Sequence, residues 1–230
     1  MFAIMKKEFK SYLLSPIGYI FVGLFLLMFS IFFVATIFNY SVVNFEYLFY
    51  NGATILTFVV PVLTMRMFSE ERKNGTEQLL LTSPRSITSV VLGKFCAAAL
   101  IMIITEAFTL IYYAILEYFG DPSLTVALTT LGGFFLLSLA YISFGMFASS
   151  ITENQIIACV VTIGVFISMW FLPSLNATFS TILESFSLIN MFDKFPSGVI
   201  SIAEVITFVT FTLLFILLTI IVLQRRKSVK

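Results

Sequence analysis

The residues able to do acid–base, nucleophilic or metal chemistry are few. The chain carries twelve Asp and Glu, two Cys and no His. Cys96 and Cys159 both lie inside long apolar runs, so they offer neither a zinc site nor a disulfide framework and read as buried small hydrophobes. Glu106 stands alone in the middle of another apolar run. An ionisable group at that depth is costly and marks a functional candidate. It could meet a substrate or pair with a polar group such as Thr105 or Thr109 of a paired subunit; the plainer reading is a protonated or hydrogen-bonded packing glutamate. An intramembrane enzyme would need convergent nucleophile, base or metal ligands, and one central glutamate without histidine lacks those parts. Gly93-Lys94 has neither the upstream glycine nor the following hydroxyl of a phosphate-binding loop, so ATP has no such device here.

The densest polar chemistry lies between Arg66 and Ser89. Arg66-Met-Phe-Ser-Glu-Glu-Arg-Lys-Asn74 is charged and helix-compatible, and is expected to extend the apolar helix before it. Gly75 is placed as the residue that ends such a helix in a left-handed conformation. Thr76 is suited to cap a new short helix, Glu77-Gln-Leu-Leu-Leu-Thr82, whose leucines would be exposed unless a partner covered them. Ser83-Pro84 breaks that helix, and the proline can open the next one, running through Gly93-Lys94. A short, partly apolar helix held between two rigid ones has the shape of a docking element; the plainer reading is a solvated charged hairpin.

The elements that position these groups follow from composition. Of 230 residues, 60% are hydrophobic and 11% charged, against roughly 25% charged in soluble domains. The apolar runs are continuous and about 20 residues long, which predicts spanning helices and not barrel strands. Six spans are expected: Ile17–Phe38, Leu48–Met65 with a kink at Pro61, Val90–Leu116, Leu124–Phe147, Ile156–Leu172 and Ile202–Leu223. Met1–Ser15 is expected to form an interfacial helix with Phe2, Met5, Phe9, Tyr12 and Leu13 on its apolar face and Lys6, Lys7, Glu8, Lys10 and Ser11 on its polar one, ended by Ser15-Pro16. The stretch leads into an apolar run too long for a cleavable signal. Pro173–Ser201 is too interrupted to span. Its Ile182, Leu183, Phe186, Leu188 and Ile189 predict short helices dipping into the outer leaflet, among Glu184, Asp193, Lys194 and Glu204. Trp170 falls near the outer end of the fifth span, and the 28 phenylalanines read as lipid-facing packing.

Charge placement sets the orientation. Twelve of the 13 Lys and Arg fall on the side that holds the N-terminal segment, the 66–89 loop, the turn at Glu153 and the C-terminus; only Lys194 falls on the other. The positive-inside rule then puts both ends in the cytoplasm. The net charge of +1 carries no nucleic-acid signal. No repeat or linker divides the chain, so residues 1–230 form one domain. The fold class is therefore an all-α integral membrane protein.

The same residues resemble a known family. Pro61-Val-Leu-Thr-Met-Arg-Met-Phe-Ser-Glu-Glu-Arg-Lys-Asn-Gly-Thr-Glu-Gln-Leu-Leu-Leu-Thr-Ser-Pro84, followed by Val91-Leu-Gly-Lys-Phe95, is similar to the hallmark of type-2 ABC-transporter permeases, closest to the gliding-motility branch. Lys6-Lys-Glu-Phe-Lys-Ser-Tyr-Leu-Leu-Ser-Pro16 and Phe192-Asp-Lys-Phe-Pro-Ser-Gly-Val-Ile200 agree. The resemblance covers essentially the whole chain and implies the permease subunit of an exporter in a bacterial inner membrane. It implies a second permease, identical or different, and a separate ATP-binding subunit that holds ATP and Mg, with no cofactor or catalytic residue in this chain. Carried onto this sequence, Arg66, Glu70, Glu71, Arg72, Gly75, Thr76, Glu77 and Leu79 would form the coupling surface, and short elements before the last span would cap the external mouth. The alternative is a self-contained channel or secondary transporter. Such proteins place several ionisable groups or broken helices at the midplane, where this chain offers Glu106 and Pro61.

Overall fold

The structure is a computed structural model describing residues 1–40, 45–78, 85–119, 122–175 and 187–228. Among these residues, α1 (Phe2–Leu14), α2 (Pro16–Tyr40), α3 (Phe45–Thr64), α4 (Ser69–Lys73), α5 (Ile87–Phe119), α6 (Leu124–Ile151), α7 (Gln155–Leu175), α8 (Leu188–Phe192) and α9 (Ile202–Ser228) follow in order, with no strand. The six expected spans each fall on a helix. Helices α2, α3, α5, α6 and α9 are long and apolar enough to cross a membrane, while α7 offers a shorter apolar stretch, Gln155–Phe171.

The helix boundaries have local causes. Ser15 is extended (φ −96°, ψ 149°) and separates α1 from α2, as the residue before a proline should. Pro16 opens α2 at the position where a missing N–H costs least. Helix α6 continues past Phe147 to Ile151, so the connection to α7 shrinks to Thr152–Asn154. The Asn154 side chain accepts from the Ile156 amide at 2.9 Å and starts α7. Ser86 accepts from the Ser89 amide at 3.3 Å, so α5 opens at Ile87, beyond the proline expected to begin it.

Helix α6 is the hub. It packs against α3, α5, α7 and α9, and its buried residues run from Ala127 to Ser150. Phe21, Phe25, Phe29 and Phe33 recur at helical spacing along α2 and are all buried. Phe29 meets Phe49 of α3 edge-on at 5.2 Å between ring centres, and Phe49 meets Phe134 of α6 edge-on at 5.0 Å. The lipid-facing expectation for the phenylalanines is wrong for these rings. Lipid tails are as apolar as the rings, so what favours the interior is shape-specific ring contact, not escape from water. Cys96 and Cys159 are free and only half-buried.

The N-terminal helix also departs from expectation. Met5, Phe9 and Tyr12 do share a face with Ile4 and Glu8, but that face packs on α5, while Phe2 and Leu13 are exposed. Gly93 makes room for it: a Cβ there would press on the Ile4 side chain. Glu8, assigned to the outer polar face, turns inward because Lys94 of α5 lies 3.4 Å away.

Near the opposite end, α8 packs against α3, α6 and α9, with Leu188, Ile189 and Phe192 buried. This is one of the short helices expected before the last span; Ile182, Leu183, Glu184 and Phe186 lie outside the described residues. Lys194 forms an ion pair with Glu204. Asp193, at the end of α8, has a buried Oδ1 with no hydrogen-bond partner among the described residues, and burial raises its pKa from 3.8 to about 6. A carboxyl with a raised folded-state pKa stabilises the fold fully below its ordinary value and loses that contribution as pH rises through the folded value. The chain's thermal stability in detergent, relative to Asp193→Asn, is therefore expected to fall between pH 3.8 and about 6. A difference that stays flat over that range would contradict it.

Candidate functional site

The segment after α3 is built by groups it borrows from α6. Pro61 sits near the end of α3, and Met65 to Phe68 form a turn before α4. The expected continuous helical extension is broken there. The cause is Ser149 of α6, whose hydroxyl accepts from the Phe68 and Ser69 amides at 3.1 and 3.2 Å and donates to the Met65 carbonyl at 2.9 Å. It supplies the cap that Phe68, the residue before α4, cannot. Ser69 also donates to the Met65 carbonyl. The two helices approach this closely because residue 145 is glycine; a Cβ there would overlap the Thr64 side chain.

Helix α4 ends as the sequence predicts. Gly75 adopts φ +72°, and its amide returns to the Arg72 carbonyl at 3.1 Å, the left-handed stop that glycine favours. Thr76 points back: its hydroxyl donates to the Glu71 carbonyl at 3.2 Å. Glu77 and Gln78 are helical. The remainder of the expected coupling helix, with Leu79, lies outside the described residues.

The charged residues of this segment are tied to the rest of the chain. Lys94 is 3% exposed, and its ammonium lies 2.9 Å from Glu71 Oε1 and 3.4 Å from Glu8 Oε2, joining α4, α5 and α1. It also sits 5.3 Å above the Phe68 ring. Arg66 donates to Ser15 Oγ at 3.1 Å, lies 5.4 Å over the Tyr12 ring, and has Glu70 3.8 Å away. Burial pushes the Tyr12 pKa up, opposed in part by the Arg66 charge; its hydroxyl donates to the Leu63 carbonyl at 3.4 Å. Arg72 reaches Glu153 at 2.7 Å, and Glu77 reaches Arg226 of α9 at 3.0 Å. Six of the eight residues assigned to the coupling surface are thus held at one end of the bundle, while exposed Gly75 turns the chain and Leu79 is not described.

Two clefts flank this segment. One, of about 590 Å³, opens between α1, residues 66–76 and the start of α5. The other, of about 440 Å³, lies between residues 72–78, Glu153 and the end of α9. Between them Lys73, Asn74, Gly75 and Thr76 are exposed. Sequence reasoning missed Ser149, Glu8, Glu153 and Arg226 as parts of this site. The usable signal was the placement of lone charges at span ends, since each must find a counter-charge where the helices leave the apolar region.

Glu106 is not part of this cluster. It is buried on α5 with Thr105 and Thr109, and Thr109 donates to the Glu106 backbone carbonyl at 2.6 Å. Its Oε1 is buried and makes no hydrogen bond among the described residues.

Two stability outcomes follow from this geometry. Lys94→Met removes the buried cation between Glu8 and Glu71, leaving Glu8 only the exposed Lys7 at 3.8 Å, and is expected to cost about 3–5 kcal/mol, whereas Lys73→Ala at the exposed turn should change stability by less than about 0.5 kcal/mol. Equal losses on thermal unfolding in detergent would contradict the assignment. Glu106→Leu removes an unpaired buried polar atom and is expected to raise the unfolding temperature by about 2–4 °C per kcal/mol recovered; a marked drop would show that the carboxyl is stabilising.

The sequence matches the family described as "ABC-2 family transporter protein" over residues 36–223. No curated relative matches it. The matched stretch begins inside α2 and ends near the close of α9, so it takes in the Ser149 turn, Glu71, Glu77 and Lys94, while Glu8 and Arg226 fall outside it. The chain therefore belongs to the ABC-2 family of membrane transporter proteins.

Proposed function

We propose that this chain is the permease subunit of an ABC exporter and that residues 66–78 couple it to a separate ATP-binding subunit, which carries ATP and Mg. The observation that carries this reading is the contrast within the segment. Its flanks are fixed to α5, to the turn after α6 and to α9 by Lys94–Glu71, Arg72–Glu153 and Glu77–Arg226, while Lys73 to Thr76 stand exposed between two clefts. A rigid base under an exposed apex can transmit force, whereas a loose loop would absorb it.

The docking surface is narrower than the full set of charged residues. Glu71, Arg72 and Glu77 serve chiefly to hold the apex, and Lys73, Asn74, Gly75 and the half-exposed Glu70 are the groups that face the partner. Glu70 has a side chain 44% exposed. ATP-driven closure of two ATP-binding subunits would push the apices of two paired permeases, and the helices rooted at this end would carry that displacement into the membrane. The charge bias supports a cytoplasmic position for this end, where the ATP is, and the family resemblance supports a bacterial inner membrane. The branch with gliding-motility permeases and the exporting direction rest on the sequence resemblance.

The test is co-purification with an ATP-binding subunit encoded alongside this chain. Lys73→Glu is expected to weaken the complex several-fold while leaving the permease's unfolding temperature unchanged, and Glu70→Lys to weaken it likewise with a small loss of stability from its pair with Arg66. A complex that keeps full affinity with both reversals would overturn the docking assignment.

A further inference from the structure

Two arginines from distant parts of the chain meet at one carbonyl. Ile151 ends α6, and its carbonyl oxygen accepts from Arg72 Nη1 at 2.7 Å and from Arg226 Nη2 at 3.4 Å. Each guanidinium is also held by a carboxylate. Arg72 Nη2 lies 2.7 Å from Glu153, just past the end of α6, and Arg226 Nη1 lies 3.0 Å from Glu77. The contacts close a ring: Arg72 to Ile151, Ile151 to Arg226, Arg226 to Glu77, and Glu77 back to Arg72 along the backbone through Gly75.

We propose that this ring is a clamp that delivers movement of residues 69–78 to α6 and α9, in addition to the covalently adjoining α3 and α5. The proposal rests on the coupling function argued above and adds the route. Its electrostatics favour a closed ring. Two guanidiniums drawn to one oxygen repel each other, and they are balanced by Glu77, by Glu153 and by the negative end of the α6 dipole. Glu77 has a side chain only 13% exposed, so the pair is screened less than a surface one. Removing any one charge unbalances the rest.

The mechanical argument concerns which helix is seized. Helix α6 packs on α3, α5, α7 and α9, and it is buried along most of its length. Its last turn is gripped twice, by the Ser149 hydroxyl on the 65–69 turn and by the two arginines on Ile151. A displaced apex must either break these contacts or pull the α6 end with it. Arg226 belongs to α9, so the same pull reaches the last span directly. Arg226 is therefore a positioning residue; it need not touch the ATP-binding subunit.

The test uses the complex of permease and ATP-binding subunit in nanodiscs, with Cys96→Ser and Cys159→Ser as background. A single cysteine is introduced at Asn51→Cys in α3 or at Thr207→Cys in α9, and maleimide labelling rates are compared with and without ATP. In the otherwise unsubstituted complex both positions are expected to respond to ATP. With Arg226→Glu the response in α9 should fall by about tenfold, a typical size for coupling between sites, while that in α3 persists. The charge swap Glu77→Arg with Arg226→Glu should restore it, an outcome that general destabilisation would not give. Arg226→Gln, which removes the charge and keeps a polar side chain, serves where the reversed charge prevents folding and should show the same split. An α9 response that survives Arg226→Glu or Arg226→Gln undiminished overturns the clamp. A complex that assembles but shows no ATP response at either position overturns the coupling function itself, and the clamp with it.

Discussion

Where α3 ends, the Phe68 amide, the Ser69 amide and the Met65 carbonyl all meet one hydroxyl, that of Ser149. An apolar helix cannot stop at a membrane boundary with its last backbone groups unsatisfied, and water reaches such a buried turn poorly. By taking these groups, Ser149 lets the helix give way to a turn and restart as α4 beside the end of α6. The later contacts of the segment start from that turn: Glu71 with Lys94, Arg72 with Ile151 and Glu153.

The two ends of the bundle are held by different physics. In the apolar interior, phenylalanines of α2, α3 and α6 interlock edge to face, and specificity comes from ring geometry. At the basic end, the contacts are charges pairing across elements distant in sequence. Each charge there has lost part of its hydration, so an unmatched one is expensive, and a matched set fixes the arrangement of helices even where it adds little net stability. The interior decides that the helices pack; the charged end decides how far each is rotated and where it stops.

Most of the helical layout was legible in the sequence, because lipid-length apolar runs leave the backbone few alternatives. The Gly75 stop was equally legible, since glycine at the end of a charged helix has one common use. What could not be read was tertiary in origin. The inward turn of Glu8 requires Lys94 to be nearby, and periodicity alone assigns it to the polar face. The break at Met65–Phe68 requires Ser149, a residue with nothing in its local sequence to distinguish it from Ser150. The burial of Phe25, Phe29 and Phe49 was misread because composition says that phenylalanine prefers lipid or core without saying which. The coupling candidates were found through the family-like motif, but their pairing within the chain was invisible until the ends of α6 and α9 were in place.

The contact between Glu8 and Lys94 also bears on how the molecule is made. Helix α1 leaves the ribosome first, yet the ammonium that seats it belongs to the third long helix, beyond all of α2 and α3. At about 5–20 residues per second, α1 must wait several seconds before its docking face exists. During that interval its exposed Phe2 and Leu14 give it a place to rest, on the membrane surface itself. On that order of synthesis the helix would lodge at the interface before it joins the bundle. Insertion of α5 would then move it from one to the other and complete this part of the charged end.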